Sequence, residues 1–262
     1  MRFHRLAVWL LIGLAGVSLA AVLAPGASYS RQDREQPFAA ASPSHPAGTD
    51  ALGRDRLVRT AAALVLSLAG ASAAAALTTA AAAGVGASAA FATGAGRWLI
   101  LLFCDIFLAL PWLFLLMMVR SALPLTTSPA RSAAVTFLIL AALGWPACAR
   151  AVYSGVLELK NADWMLQARA AGLRRSQTLL HVVPNLLPLL LPQFLVSVPA
   201  FVIAEANLGA LGLGIGEPLP SWGGMLLELD NSAMLLQTRW VYFPVVLLIL
   251  VLVLMEAILV EA

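Results

Sequence analysis

Apolar runs long enough to cross a bilayer recur along this chain, and no other feature restricts its fold as much. A helix needs roughly 20 apolar residues to cross about 30 Å of hydrocarbon, and in lipid only helices and closed barrels satisfy their own backbone. The first run is Leu6 to Leu23, preceded by Arg2 and Arg5. It exceeds the roughly 7–15 residues of a signal-peptide core, so it reads as a retained anchor, although Ala20, Ala21 and Ala24 offer small residues near its end. Leu57 to Phe91 is too long for one perpendicular span and reads as a short surface helix over 52–63 followed by a span over 64–88. That span is dense in Ala, Gly, Ser and Thr, which let helices approach closely in lipid. Further spans run from Trp98 to Val119, from Ala133 to Val152, from Pro184 to about Leu208 and from Trp240 to Val260, giving six.

Composition points the same way. Of 262 residues, 61% are apolar and 11% charged, with a mean hydropathy of +0.90, whereas soluble domains carry about 25% charged residues. The charges are too few to coat a water-facing surface, and intrinsic disorder, which needs low hydrophobicity and high charge, is excluded. A net charge of +3 scattered along the chain leaves no nucleic-acid footprint. Cys104 and Cys148 sit in apolar runs without a C-x-x-C pair, and His4, His45 and His181 lack metal-ligand spacing, so no metal is expected. No phosphate loop, H-E-x-x-H or nucleophile-elbow motif is present. Asp105, Glu205 and Glu256 fall at or near membrane depth, one in each of three spans. The chain reads as a non-enzyme, and any energy for transport comes from a gradient or another subunit.

Residues 25–55 are rich in Pro, Ser, Gly and Asp with mixed charge, and read as an exposed loop. A second polar interval, Tyr153 to His181, carries Glu158, Lys160, Asp163, Arg169, Arg174 and Arg175 and is long enough for two short helices. The positive-inside rule places it in the cytoplasm, although the whole chain carries as many basic residues outside as inside under that topology. Pro184, Pro188, Pro192 and Pro199 fall mostly four apart in the fifth span, where each removes a helix donor.

Four segments resemble one family. Asn161 to Gly172 (Asn-Ala-Asp-Trp-Met-Leu-Gln-Ala-Arg-Ala-Ala-Gly) followed by His181-Val182-Val183-Pro184-Asn185 is similar to the E-A-A-x-x-x-G segment and the step into the fifth span of ABC importer permeases. His45 to Asp55 (His-Pro-Ala-Gly-Thr-Asp-Ala-Leu-Gly-Arg-Asp) resembles the H-P-x-G-T-D-x-x-G-R-D signature of their oligopeptide/dipeptide/nickel group, C-type. Asp105 and Pro111 match that group's D-x-x-x-x-x-P, and Glu205 to Trp222 resembles its A-E-A-x-L-x-x-L-G-L-G…P-S-W-G. Leu166 stands where the family usually has Glu, and Gly172 to Pro184 is about one residue short.

The resemblance implies an all-α membrane protein, a type I ABC importer transmembrane domain of about six helices with a cytoplasmic coupling helix between spans four and five. Its parts would be an anchor over 1–24, an extracytoplasmic loop over 25–56 and the permease domain over 57–262. Asp163, Trp164, Leu166, Ala168, Arg169, Gly172 and Pro184 would form the ATPase-coupling segment, with Asp163, on the same helical face, substituting for the carboxylate missing at Leu166. Glu205 and Asp105 are candidates for the translocation path or gate, with structural roles as the alternative. His45, Gly48, Thr49, Asp50, Gly53, Arg54, Asp55 and Trp222 would form structural loops, Asp50 accepting from amides of the following helix and Trp222 sitting at the membrane interface. No cofactor is expected on this chain; ATP and Mg would be bound by partner ATPases. Expected partners are a second homologous permease, two cytoplasmic ABC ATPases, an extracytoplasmic solute-binding protein and membrane lipid. The expected location is the bacterial inner membrane, multi-pass. A stand-alone secondary transporter and a degenerate, non-transporting scaffold stay open as alternatives.

Overall fold

The computed structural model describes residues 2–123, 128–170, 172, 183–230 and 239–260. Among these, α1 spans Arg2–Leu23, α2 Arg56–Phe91, α3 Gly94–Ala109, α4 Trp112–Ser121, α5 Pro129–Asn161 and α6 Asp163–Ala170. A 3-10 turn, Val183–Leu186, leads into α7, Leu187–Ala210. The short α8, Trp222–Leu227, is followed by the last long helix, α9, Phe243–Val260. Five helical stretches are long and apolar enough to cross a membrane, and α3 with α4 makes six if that bent pair is one span.

The span count therefore meets the expectation, but two spans differ in shape. The separate surface helix over 52–63 does not exist: α2 is one helix of 36 residues. It starts where Asp55 accepts the Val58 amide at 2.9 Å, an N-terminal cap, and no proline interrupts it. The third span is broken, with α3 and α4 meeting at 84°. Pro111 forces this: it has no amide to donate and pushes its predecessor out of the helical region, and Leu110 is extended at φ −86, ψ 134. At the other end of the chain's middle, α5 carries Pro146 within it and runs on to Asn161, so the first part of the polar interval is helix. Arg174, Arg175 and His181 lie outside the described residues.

The chain divides into two compact units. One comprises Met1–Ala71, Met117–Leu138 and Pro199–Ala262. In it α1 lies along α9, and Gly70 of α2 meets the Phe137 ring of α5 so closely that a Cβ would stand 2.2 Å from it. The end of α7 closes in a Schellman motif: Leu213 N–H donates to Leu208 O at 2.8 Å and Gly212 N–H to Gly209 O at 2.9 Å, with Gly212 at φ +74. The second unit comprises Ser72–Leu116 and Ile139–Val198. There Gly86 of α2 abuts α5, its missing Cβ leaving room for Ala149 O at 2.6 Å and Val152 Cβ at 2.8 Å. Among the described residues, this unit's core includes a buried cluster of Ala82, Cys104, Cys148 and Ala149 and another of Ala90, Val152, Val156, Met165 and Leu186.

Candidate functional site

The segment expected to couple to the ATPase lies in the second unit. Asn161 ends α5, and after a single residue α6 begins with Asp163 in its first turn, where a carboxylate suits the amide-rich end. Asp163, Trp164 and Gln167 are exposed while Met165 is fully buried, so α6 offers one face outward and fixes the other. Gly172 has φ +92 with open space at its Cα, a backbone state glycine adopts freely and which turns the chain sharply after the helix. Leu166, Ala168 and Arg169 belong to α6 and Pro184 to the following 3-10 turn; their side chains lie outside the described ones.

The signature loop lies in the first unit and is far from merely exposed. Gly48, Thr49 and Asp50 are buried. Thr49 Oγ1 donates to Gln36 O at 2.6 Å and accepts from Ala39 N–H at 2.8 Å, which pins the loop to its own earlier strand of chain. Asp50 does not cap α2 as expected: its Oδ1 accepts from the Leu52 and Arg54 amides, both at 2.9 Å, and the capping role falls to Asp55. Asp55 also meets His45 Nδ1 at 2.9 Å. Gly53, at φ +71, lies so close to the Asp33 backbone that no side chain fits. A cavity of about 440 Å³ opens here, lined in part by Arg31, Asp33, His45 and Asp55.

An ion-pair network extends this loop to residues more than 150 positions away. Arg54 Nε donates to Asp50 Oδ2 at 2.6 Å and Arg54 Nη1 to Glu217 Oε2 at 2.6 Å. Arg59 reaches Glu217 Oε1 at 3.0 Å and Asp50 Oδ2 at 3.3 Å, and Arg56 reaches Glu228 Oε2 at 2.7 Å. Three guanidinium groups thus meet three carboxylates, which is how arginines assigned to a surface helix come to be buried. Burial alone would weaken the Arg54 guanidinium's hold on its proton, but hydrogen bonds to Glu217 and Asp50 outweigh it and raise its pKa above the ordinary value.

Glu205 of α7, also in the first unit, is fully buried. Ser67 of α2 donates to its Oε2 at 3.0 Å, and Oε1 has no hydrogen-bond partner among the described residues. Ser221 caps α8 by accepting from Gly224 N–H at 3.1 Å. Trp222, expected at the membrane interface, is 1% exposed and packs within this chain. The burial follows from glycine: Gly209, Gly214 and Gly223 converge, each too close to another's backbone for a Cβ. Asp105 of α3 belongs to the other unit and forms a half-exposed ion pair with Arg150 of α5 at 3.1 Å.

Several participants were not singled out from the sequence. Glu217, Glu228, Ser67 and Met165 are among them, as is Arg120 at the end of α4, buried and donating to Ser132 Oγ at 2.8 Å and Gly214 O at 3.2 Å. One signal was available for the acids. Arg54, Arg56 and Arg59 crowd six residues that include only one acid, Asp55, and the loop after the fifth span holds just Glu217, Glu228 and Asp230 to balance them.

Five or six apolar helical stretches, with a short, mostly exposed helix joined to the fourth, define a multi-pass helical membrane protein. Residues 81–262 match the family described as "Binding-protein-dependent transport system inner membrane component", and the chain belongs to that family. It is similar to the oligopeptide transport system permease protein OppC of Haemophilus influenzae, 31% identical over 256 residues, covering 95% of this chain and 80% of that protein. OppC of Escherichia coli K12 is 34% identical over 235 residues, 87% of this chain and 76% of the relative. The dipeptide transport system permease protein DppC of Alkalihalophilus pseudofirmus is 28% identical over 252 residues, 93% and 79% of the two chains. The chain is thus a permease subunit of a bacterial inner-membrane ABC importer, works with other subunits, and leaves ATP hydrolysis to them.

Proposed function

We propose that this chain forms half of the translocation path for peptides or similar small solutes, opposite a second homologous permease, and works by alternating access. A solute-binding protein delivers cargo to the outer face, where the 25–56 loop lies. Two cytoplasmic ATPases hold ATP and Mg and drive the coupling helices; this chain binds neither. The peptide class is supported by the relatives, which are oligopeptide and dipeptide transport system permease proteins.

The observation that carries the reading is α6: an eight-residue helix in the position of the family's coupling segment, presenting Asp163 and Trp164 outward. Glu205, buried against Ser67, serves the path or its gate. The test is a mild-detergent pull-down from native membrane with mass spectrometry of the co-purifying chains. Recovery of a second six-span subunit and phosphate-loop ATPases is the expected result. Recovery of this chain alone, with a control complex intact, would overturn the reading in favour of a stand-alone carrier or a scaffold.

A further inference from the structure

We propose that Met165 is a positioning residue through which α6 moves the permease: a buried knob that ties the coupling helix to the ends of three long helices. This rests on the reading of α6 as the ATPase-facing helix. An eight-residue helix is too short to hold its own shape in water, so force that reaches it passes on through its tertiary contacts as well as through its one-residue link to α5. Among the side chains described in α6, Asp163, Trp164, Gln167 and Ala170 are exposed, and Met165 is the buried one, at 0% exposure. Its socket is built from Ala90 in the last turn of α2, Val152 and Val156 four apart on α5, and Leu186 just before α7.

The socket is itself clamped. Lys160, the last basic residue of α5, donates through Nζ to the Ala90 carbonyl, one of the orphan acceptors at the end of α2, where a cation is favoured. The same ammonium lies 4.6 Å from the centre of the Phe91 ring. Gly155 of α5 admits Leu189 of α7, whose Cδ2 stands 2.5 Å from where a Cβ would be, and Gly86 brings α2 equally close to α5. The ends of α2, α5 and α7 therefore form one packed block, and among the described side chains of α6 Met165 is the one buried in it. Methionine suits a moving joint, since its unbranched chain keeps contact while changing rotamer, and a groove of about 420 Å³ lined by Gly155, Leu159, Ala162 and Leu189 lies beside the socket.

The test uses the purified importer complex in proteoliposomes with its solute-binding protein, reading peptide uptake per ATP hydrolysed, per assembled complex. Cross-linking of a Trp164→Cys variant to the ATPase is read in parallel. Met165→Ala is expected to lower uptake per ATP about tenfold while the cross-link persists, and volume-conserving Met165→Leu to stay within about twofold of wild type. A residue that only supports folding would reduce the amount of assembled complex and leave that ratio unchanged. Should Met165→Ala fail to assemble, the partial truncation Met165→Val is read by the same ratio, with an intermediate loss expected. An unchanged ratio in the truncated variant, with the cross-link present, overturns the inference and leaves the proposed function standing. Absence of the cross-link in the otherwise wild-type chain overturns the docking of α6, and the inference with it.

Discussion

Replacing Gly223 with alanine tests the glycine contact between α7 and α8, where Trp222 is buried. A Cβ at Gly223 would stand 2.3 Å from Gly209 Cα, 2.5 Å from Ala206 O and 2.7 Å from Ala210 N. Ordinary carbon contacts fall at about 3.5–4.0 Å, so α8 must withdraw from α7 by about 1–1.5 Å. All three obstructing atoms are backbone, which rules out relief by a rotamer change. Overpacking of this kind costs about 1–3 kcal/mol, and withdrawal also uncovers part of Trp222, whose full burial is worth about 1.5–3 kcal/mol. Against this, alanine gains about 0.8–1 kcal/mol of helix propensity over glycine. The net expectation is a loss of about 2 kcal/mol. Thermal unfolding in detergent, followed by tryptophan emission, measures it, with Gly216→Ala as control because nothing lies within 4 Å of that position. Gly209→Ala attacks the same contact from the other side, at 2.5 Å from Gly223 Cα, so the double variant should cost less than the sum of the two. A Gly223→Ala chain that unfolds at the wild-type temperature with unchanged emission would refute the close-approach argument.

Other expectations follow from the ion-pair network, the bend at Pro111 and the α6 segment. Arg54→Ala leaves the Asp50 carboxylate, 2% exposed, with Arg59 at 3.3 Å as its remaining cation; the loss should sit near the lower end of the 3–5 kcal/mol range for broken buried pairs, at about 3 kcal/mol. Unfolding in detergent against exposed Arg31→Ala, expected within about 0.5 kcal/mol of wild type, measures it. Pro111→Ala restores an amide donor and should let α3 run on: spin labels at 99 and 115 would separate from about 19 Å with the 84° bend to about 24 Å in a straight helix. Gly172→Pro cannot adopt φ +92, since proline fixes φ near −65°; it and Asp163→Lys should each uncouple ATP use from uptake while the chain stays inserted, read as uptake per ATP in proteoliposomes. Normal uptake in both would remove the coupling role from this segment.

What the sequence discloses here divides along the range of the interaction involved. Spans are legible because a run such as Phe243–Val260 announces itself within one window, and the break at Pro111 lies in the residue itself, although Trp98 to Val119 was read as one span. The position of α6 is legible through its motif. What a window cannot contain is a partner 158 or 172 residues away, as Glu217 is to Arg59 and Glu228 to Arg56. Seen locally, Arg54, Arg56 and Arg59 are three charges at the start of an apolar run, for which solvent is the only visible destination, and a separate surface helix is the natural conclusion. Once each has a carboxylate, the reason to separate that helix from the span disappears, and α2 continues unbroken from Arg56 to Phe91. The same logic governs the glycines: Gly209, Gly214 and Gly223 read as loop formers one at a time, yet their use is mutual, each vacating space for another's backbone. Met165 shows the limit most plainly. Within its motif it is one apolar residue between Trp164 and Leu166, and only the ends of three helices, brought to it by the fold, distinguish the side chain that holds α6 from the one that faces outward.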